Sequence, residues 1–202
     1  MDFSYENEAY GRGFVCVCGT DEAGRGPLAG AVYAGAVVLP RGYVHPILND
    51  SKKLSEKMRE LVYDDIVRDA VAWAVGIADE KEIDEINILN ASMLAMRRAV
   101  DALMIKPDFL YVDGNSCPGT GMSEAAIVKG DSKCMSVAAA SVIAKVSRDR
   151  YMEELAALYP QYQFEKHKGY PTALHYELIR EYGVSPVHRV TFLKNFNEKH
   201  NG

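Results

Sequence analysis

Two adjacent carboxylates, Asp21 and Glu22, stand in the stretch Gly19-Thr20-Asp21-Glu22-Ala23-Gly24-Arg25-Gly26-Pro27-Leu28-Ala29-Gly30, between an apolar run and a glycine-punctuated turn. The same pattern of apolar run, acid and glycine recurs at Phe109-Leu110-Tyr111-Val112-Asp113-Gly114, and a further acid follows in Lys129-Gly130-Asp131. Gathered in one place, Asp21, Glu22, Asp113 and Asp131 would repel one another, so such a set is tenable only with bound cations or shifted pKa values. Oxygen ligands favour hard ions, Mg2+ or Mn2+, and motifs without histidine or cysteine argue against zinc. Two such ions can activate a water and stabilise the leaving oxygen of an in-line displacement at a phosphodiester. Phosphoryl transfer is the reaction class that fits.

The elements that must position these acids follow from the pattern around them. Phe14 to Thr20 and Ala31 to Leu39 are apolar and β-branched enough to be strands, which puts Asp21 and Glu22 at a strand end. Successive side chains of a strand point to opposite faces, so both acids serve one site only if the backbone turns just after Asp21. Gly24 and Gly26 permit that turn and let main-chain N–H and C=O groups approach a ligand closely. The polar stretch Asn49 to Ser55 leads into a helix with Leu61, Val62, Ile66 and Val67 on its apolar side, capped by Ser51 or Ser55. Lys52 and Lys53 are either a solvated loop pair or, with the helix-start amides, a phosphate seat.

Val71 to Ala78 reads as a strand, and Asp79 with Glu82 as a capping box. The helix so opened carries Ile83, Ile86, Met93, Met96, Val100 and Leu103 at helical spacing and ends before Pro107. Ala125 to Val128 is one more strand, followed by a long helix from Ser132 to about Tyr159, for which Asp131 is a ready N-cap. Its run Ala138-Ala139-Ala140-Ser141 is nearly free of side chains and must pack unusually close. The sum is an α/β fold, a mixed sheet flanked by helices. Asp21 and Asp113 share one sheet edge if their strands are parallel neighbours.

With 202 residues, 48% of them hydrophobic, and no linker, repeat or low-complexity run, residues 1–202 are expected to form one domain. No apolar run is long enough to span a bilayer, and Met1 to Gly13 is polar and acidic, so a cytoplasmic protein without membrane contact is expected. Cys16, Cys18, Cys117 and Cys134 show no Cys-x-x-Cys spacing and read as small hydrophobes. The net charge of −5 argues against a protein that coats nucleic acid. Its distribution is uneven: up to Ile105 there are 11 Lys/Arg against 17 Asp/Glu, and beyond it 12 against 11. Lys129, Lys133, Lys145, Arg148, Arg150, Lys166, Lys168, Arg189 and Lys194 form a basic series that could bind a polyanion locally.

The motifs Gly19 to Gly30, Asp50-Ser51-Lys52-Lys53-Leu54-Ser55, Val112-Asp113-Gly114, and Lys129-Gly130-Asp131 followed by Ala138 to Asp149, resemble those of bacterial ribonuclease HII. So do His167-Lys168-Gly169-Tyr170-Pro171-Thr172 and His188-Arg189-Val190-Thr191-Phe192, and the resemblance runs in order from about Gly19 to Phe192. Lys133, Cys134 and Met135 depart from it at the helix entry. The resemblance implies a ribonuclease H-like fold with a small helical C-terminal segment, about residues 160–202. It implies an endonuclease that cuts the RNA of RNA/DNA hybrids and nicks 5′ of ribonucleotides embedded in DNA, through two Mn2+ or Mg2+ ions, leaving 3′-hydroxyl and 5′-phosphate ends. Asp21, Glu22, Asp113 and Asp131 then become the catalytic metal ligands. Gly24, Arg25 and Gly26 sense the ribose, Tyr170 packs on the adjacent deoxyribose, and Lys52 and Lys53 contact phosphates. Arg148, His167, Lys168 and Arg189 are weaker candidates for substrate contact. A monomer is expected, with recruitment by a clamp or polymerase left open. The rivals are another polynucleotidyl transferase on the same fold and a catalytically silent hybrid-binding module, although four converging acids serve no purpose in a pure phosphate binder.

Overall fold

The computed structural model describes residues 2–48 and 54–194. Five strands, β1 (Val17–Ala23), β2 (Val32–Val38), β3 (Ala72–Ala78), β4 (Phe109–Asp113) and β5 (Ser123–Ile127), make one mixed sheet in the order β3-β2-β1-β4-β5. The first three pair antiparallel, while β4 runs parallel to both β1 and β5. The α-helices are α1 (Ser4–Gly11), α2 (Glu56–Asp69), α3 (Glu80–Asp101), α4 (Met135–Leu158), α5 (Phe164–His167) and α6 (Ala173–Tyr182).

Every residue of β2 is buried, as a strand covered on both faces must be. Its alternate residues serve two cores. Val32, Ala34, Ala36 and Val38 join Ile83, Met96 and Val100 of α3, while Val37 joins Val62 and Ile66 of α2 and Ala138, Ala139, Ala140 and Ile143 of α4. The alanine face of α4 lies directly on the sheet. A Cβ at Gly19 would overlap the Ser136 backbone, and one at Gly35 would overlap the Ala140 carbonyl. The close packing expected of the alanine run is therefore met by glycines on the opposing strands.

Helix starts follow local chemistry. Ser55 Oγ accepts the Met58 N–H at 3.3 Å, and Asp79 and Glu82 form the full capping box, with bonds of 2.8 and 3.0 Å. Within α3, Asn87 adopts φ 65°, and its side chain accepts the amides of Leu89 and Asn90, so the helix restarts after a kink.

Three sequence expectations shift. β1 begins at Val17 and continues through both acids to Ala23, so the turn follows Glu22 instead of separating it from Asp21. Phe14, outside the strand, packs its ring 4.6 Å from that of Phe109. The long helix begins at Met135, because Lys129 takes a left-handed conformation and Gly130–Ser132 form a 3-10 turn; Asp131 is not its N-cap. The N-terminus of α4 is closed from 130 residues away, by buried Glu6 of α1, whose Oε1 accepts the Ser136 amide at 2.7 Å and the Cys134 thiol at 3.2 Å. Among the described residues no helix is long and apolar enough to cross a membrane.

Candidate active site

The parallel pairing of β1 with β4 runs from Val17 opposite Phe109 to Thr20 opposite Val112, and the next residue on each strand is an acid. Asp21 and Asp113 thus stand side by side at the edge that the sequence assigned them. From Asp113 the carboxylate reaches across to the 3-10 turn, where its Oδ1 accepts the amides of Gly130 at 2.6 Å and Asp131 at 3.3 Å. Those bonds fasten the turn that carries Asp131, itself buried, to the end of β4.

Burial and neighbouring charge raise the pKa values of two of these acids. The Asp21 carboxyl is held well above the usual range, chiefly by burial and then by the charges of Glu22 and Asp113; the Ser141 hydroxyl and the Glu22 amide oppose the shift. Glu22 is raised as well, by burial, with Arg25 pulling the other way. Such a group of acids is short of positive charge, and an all-oxygen donor set suits a hard divalent cation. Among the described residues no three acid, histidine or cysteine side chains are already gathered as a metal cage. Glu22 Oε1 lies 3.2 Å from Arg25 Nη1, and one oxygen of Asp113 is engaged by the Gly130 amide.

Beside the acids opens a cleft of about 420 Å³. Glu22, the turn Gly24-Arg25-Gly26, Arg59, Ser141, Lys145 and Tyr170 are among the residues that line it. Tyr170 is 41% exposed, and a Cβ at Gly26 would lie 3.7 Å from its Cε1. The structure thus places the predicted ribose-sensing turn and the predicted sugar-stacking ring against each other. Gly24 behaves differently from what its place in the motif suggests. At φ +100°, its missing side chain would point inward and overlap Arg148 Nε.

Lys52 and Lys53 lie outside the described residues. Of the weaker candidates, Arg148, His167 and Arg189 are buried and so do not touch a substrate from the surface, while Lys168 is tied to Glu153 at 3.0 Å. Arg148 donates to the carbonyls of Ala29, Ala31 and Lys168, each at 3.1 Å. Arg189 donates to those of Gly24, Arg25 and Gly30. Sequence reasoning also passed over Arg59, although Lys145 stood in the basic series. Asp149 holds both on the rim of the cleft, Lys145 at 2.6 Å and Arg59 at 3.7 Å. An acid four residues after Lys145 on one helix face was the available signal.

A mixed sheet of this order, with acids at the ends of its two central parallel strands, defines the ribonuclease H-like class of nucleases. The family model described as Ribonuclease HII matches residues 18–195. The chain belongs to the ribonuclease HII family, and with it to the ribonuclease H enzymes. It is 49% identical to the Ribonuclease HII of Caldicellulosiruptor bescii, over 96% of this chain and 94% of that one. To the Ribonuclease HII of Acetivibrio thermocellus it is 53% identical, over 95% of this chain and 75% of that one. Among solved structures, ribonuclease H2 from Pyrococcus horikoshii matches with a TM-score of 0.76 at 30% identity, covering 92% of this chain and 98% of that one. The RNase HII of the Archaeoglobus fulgidus PCNA:RNase HII complex matches with a TM-score of 0.69 at 26% identity, covering 87% and 94%.

Proposed function

We propose that this ribonuclease H hydrolyses the RNA strand of RNA/DNA hybrids and nicks duplex DNA on the 5′ side of an embedded ribonucleotide, with Asp21, Glu22, Asp113 and Asp131 holding two Mg2+ or Mn2+ ions. The observation that carries this reading is the side-by-side placement of Asp21 and Asp113 at the ends of β1 and β4, with the ionisation of Asp21 held back by burial and then by its acidic neighbours. When bound, the ions would polarise the phosphodiester, activate a water and neutralise the leaving oxygen. The acids would hold that charge in place, and the Asp113 bond to the Gly130 amide fastens the turn that carries Asp131 to the end of β4.

Specificity is supplied by the neighbouring cleft. A 2′-hydroxyl both donates and accepts, and main-chain groups of Gly24-Arg25-Gly26 can meet it without a side chain in the way. Tyr170, opposite Gly26, offers a ring to the following sugar, where a deoxyribose fits more readily than the bulkier ribose; an RNA-to-DNA junction becomes the preferred step. Lys145 and Arg59 on the rim, with Lys52 and Lys53, supply positive charge for the flanking phosphates despite the acidic total.

The test is an end-labelled duplex with one ribonucleotide, run beside an all-DNA duplex and a long RNA/DNA hybrid. A single nick 5′ of the ribonucleotide with a 3′-hydroxyl end is expected. A long hybrid cut while the single-ribonucleotide duplex stays intact would remove the junction-reading role from Gly24 to Gly26 and Tyr170.

A further inference from the structure

Two large cations, Arg148 and Arg189, are 1% and 0% exposed beneath the turn that lines the cleft, and their hydrogen bonds run to backbone carbonyls. Arg189 Nη2 donates to Gly24 O at 2.7 Å and Gly30 O at 2.6 Å, Nη1 to Arg25 O at 3.2 Å, and Nε to Gly30 O at 2.9 Å. Burying a guanidinium is costly unless its donors are met, so four bonds to three carbonyls mark a site built for that group. A lysine ammonium is a point charge with three donors and cannot span the same fork.

The peptide groups held in this way have a second end. All described peptide bonds are trans, and in a trans peptide the C=O and N–H point in opposite directions. Fixing the Gly24 carbonyl on Arg189 therefore directs the Arg25 N–H away from it, and fixing the Arg25 carbonyl does the same for the Gly26 N–H. Gly24, Arg25, Gly26 and Tyr170 line the cleft and buried Arg189 does not, so amides turned from Arg189 are turned to the cleft side. Two successive amides facing one space form a concavity suited to an anion or a hydroxyl oxygen. Behind them stands a charge that lacks the freedom to turn outward.

We propose that Arg189 is a positioning residue which, by fixing the Gly24 and Arg25 carbonyls inward, presents the Arg25 and Gly26 amides to phosphate and sugar oxygens of the ribonucleotide. Arg148 acts on the frame around it. Its acceptors are Ala29, Ala31 and Lys168, which join the turn to the segment leading to Tyr170, and the Leu28 amide donates to Gly169 O at 2.8 Å across the same junction. The proposal rests on the reading that the Gly24 to Gly26 turn meets the substrate.

The experiment compares R189K and R148K with the wild type by fluorescence anisotropy in chelator, using a duplex with one ribonucleotide and its all-DNA counterpart, together with thermal melting of each protein. For R189K the preference for the ribonucleotide duplex should fall about tenfold, or roughly 1.4 kcal/mol, with all-DNA binding unchanged within about twofold. R148K should melt earlier yet keep its preference. An R189K protein that folds and discriminates like the wild type overturns the proposal, as does an equal loss of preference in R148K, which would mean general loosening. Amide spectra of the wild type separate the two levels of the argument and need no variant to fold. On adding the ribonucleotide duplex, the Arg25 and Gly26 amides should shift while the Arg189 Nε–H stays in place. Unmoved amides remove the turn from the substrate altogether. Shifted amides with an Arg189 Nε–H that rearranges leave the turn as reader but remove Arg189 as its support.

Discussion

The Oδ1 of Asp113 accepts the amide of Gly130 at 2.6 Å, which ties the end of β4 to the turn that carries Asp131. One carboxylate thus has two functions, charge and scaffold, and they can be separated. Asn at 113 retains an oxygen for the Gly130 amide, whereas Ala does not. Asp113→Asn should lose cleavage by about 10²–10³-fold or more, the scale of removing one preorganised electrostatic group, and melt no lower than the wild type. Asp113→Ala should lose cleavage equally and also about 1–3 kcal/mol of stability, because a part-buried amide is left unpaired. Equal melting temperatures for the two variants would contradict the scaffold function.

Asp21 is held above its usual pKa, so its ionised form opposes folding at neutral pH when no cation is present. Asp21→Asn should therefore inactivate the enzyme and raise its melting temperature in chelator at pH 7.5, by about 2–4 °C for each kcal/mol recovered. The gap should close as pH falls to the ordinary aspartate range, where the carboxyl is protonated in the unfolded chain as well as in the folded one. Added Mg2+ or Mn2+ should stabilise the wild type more than the variant. A variant that melts lower than the wild type in chelator would contradict the crowding argument.

Gly24 and Gly26 stand two residues apart and face opposite ways. A methyl at Gly24 meets Arg148 from a backbone at φ +100°, so Gly24→Ala should cost about 1–3 kcal/mol of stability or more. A methyl at Gly26 enters the cleft 3.7 Å from Tyr170. Gly26→Ala should melt like the wild type and raise KM for the single-ribonucleotide duplex about tenfold, or roughly 1.4 kcal/mol. Reversed behaviour of the two variants would show that the turn faces the other way.

Three buried histidines set the acid limit of the C-terminal segment. His167 Nδ1 accepts the Gly169 amide at 3.2 Å, His175 Nδ1 donates to Tyr170 O at 3.0 Å while its Nε2 accepts from His188 Nε2 at 3.0 Å, and His188 Nδ1 accepts the Ser185 amide at 3.0 Å, so each ring must be neutral. Burial lowers all three pKa values, those of His175 and His188 to about 4. Below the unfolded value of 6.5 the unfolded chain binds protons that the folded chain refuses. The stabilisation is thus complete above that pH and is lost as pH falls towards 4, at up to about 1.4 kcal/mol per histidine and pH unit. Melting of Asp21→Asn between pH 7 and 4.5, where the opposing Asp21 proton is absent, should show this decline; a flat profile would contradict it.

How far the sequence could be read differs from element to element, and the differences have physical causes. The acids at Asp21 and Asp113 were legible because a strand end and its glycine are local, and only the neighbouring parallel pairing had to be supplied by the fold. Asp79 and Glu82 were legible for the same reason, since a capping box spans four residues. Glu6 was not: it closes α4 from a polar N-terminal stretch 130 residues away. The burial of Arg148 and Arg189 was hidden because charge normally marks surface, and their acceptors are carbonyls, which leave no trace in side-chain sequence. The N-cap assigned to Asp131 failed because a left-handed Lys129 inserts a 3-10 turn before the helix.

The most direct test of the acid set is a cleavage assay of the wild type and of Asp21→Asn on a duplex with one ribonucleotide, across a titration of Mg2+ or Mn2+ and in excess chelator. The account predicts that the wild type nicks 5′ of the ribonucleotide only when a divalent ion is present, and that Asp21→Asn, folded and more heat-stable than the wild type in chelator, does not nick at any ion concentration. Substantial cleavage by Asp21→Asn, or full wild-type activity in chelator, would contradict it.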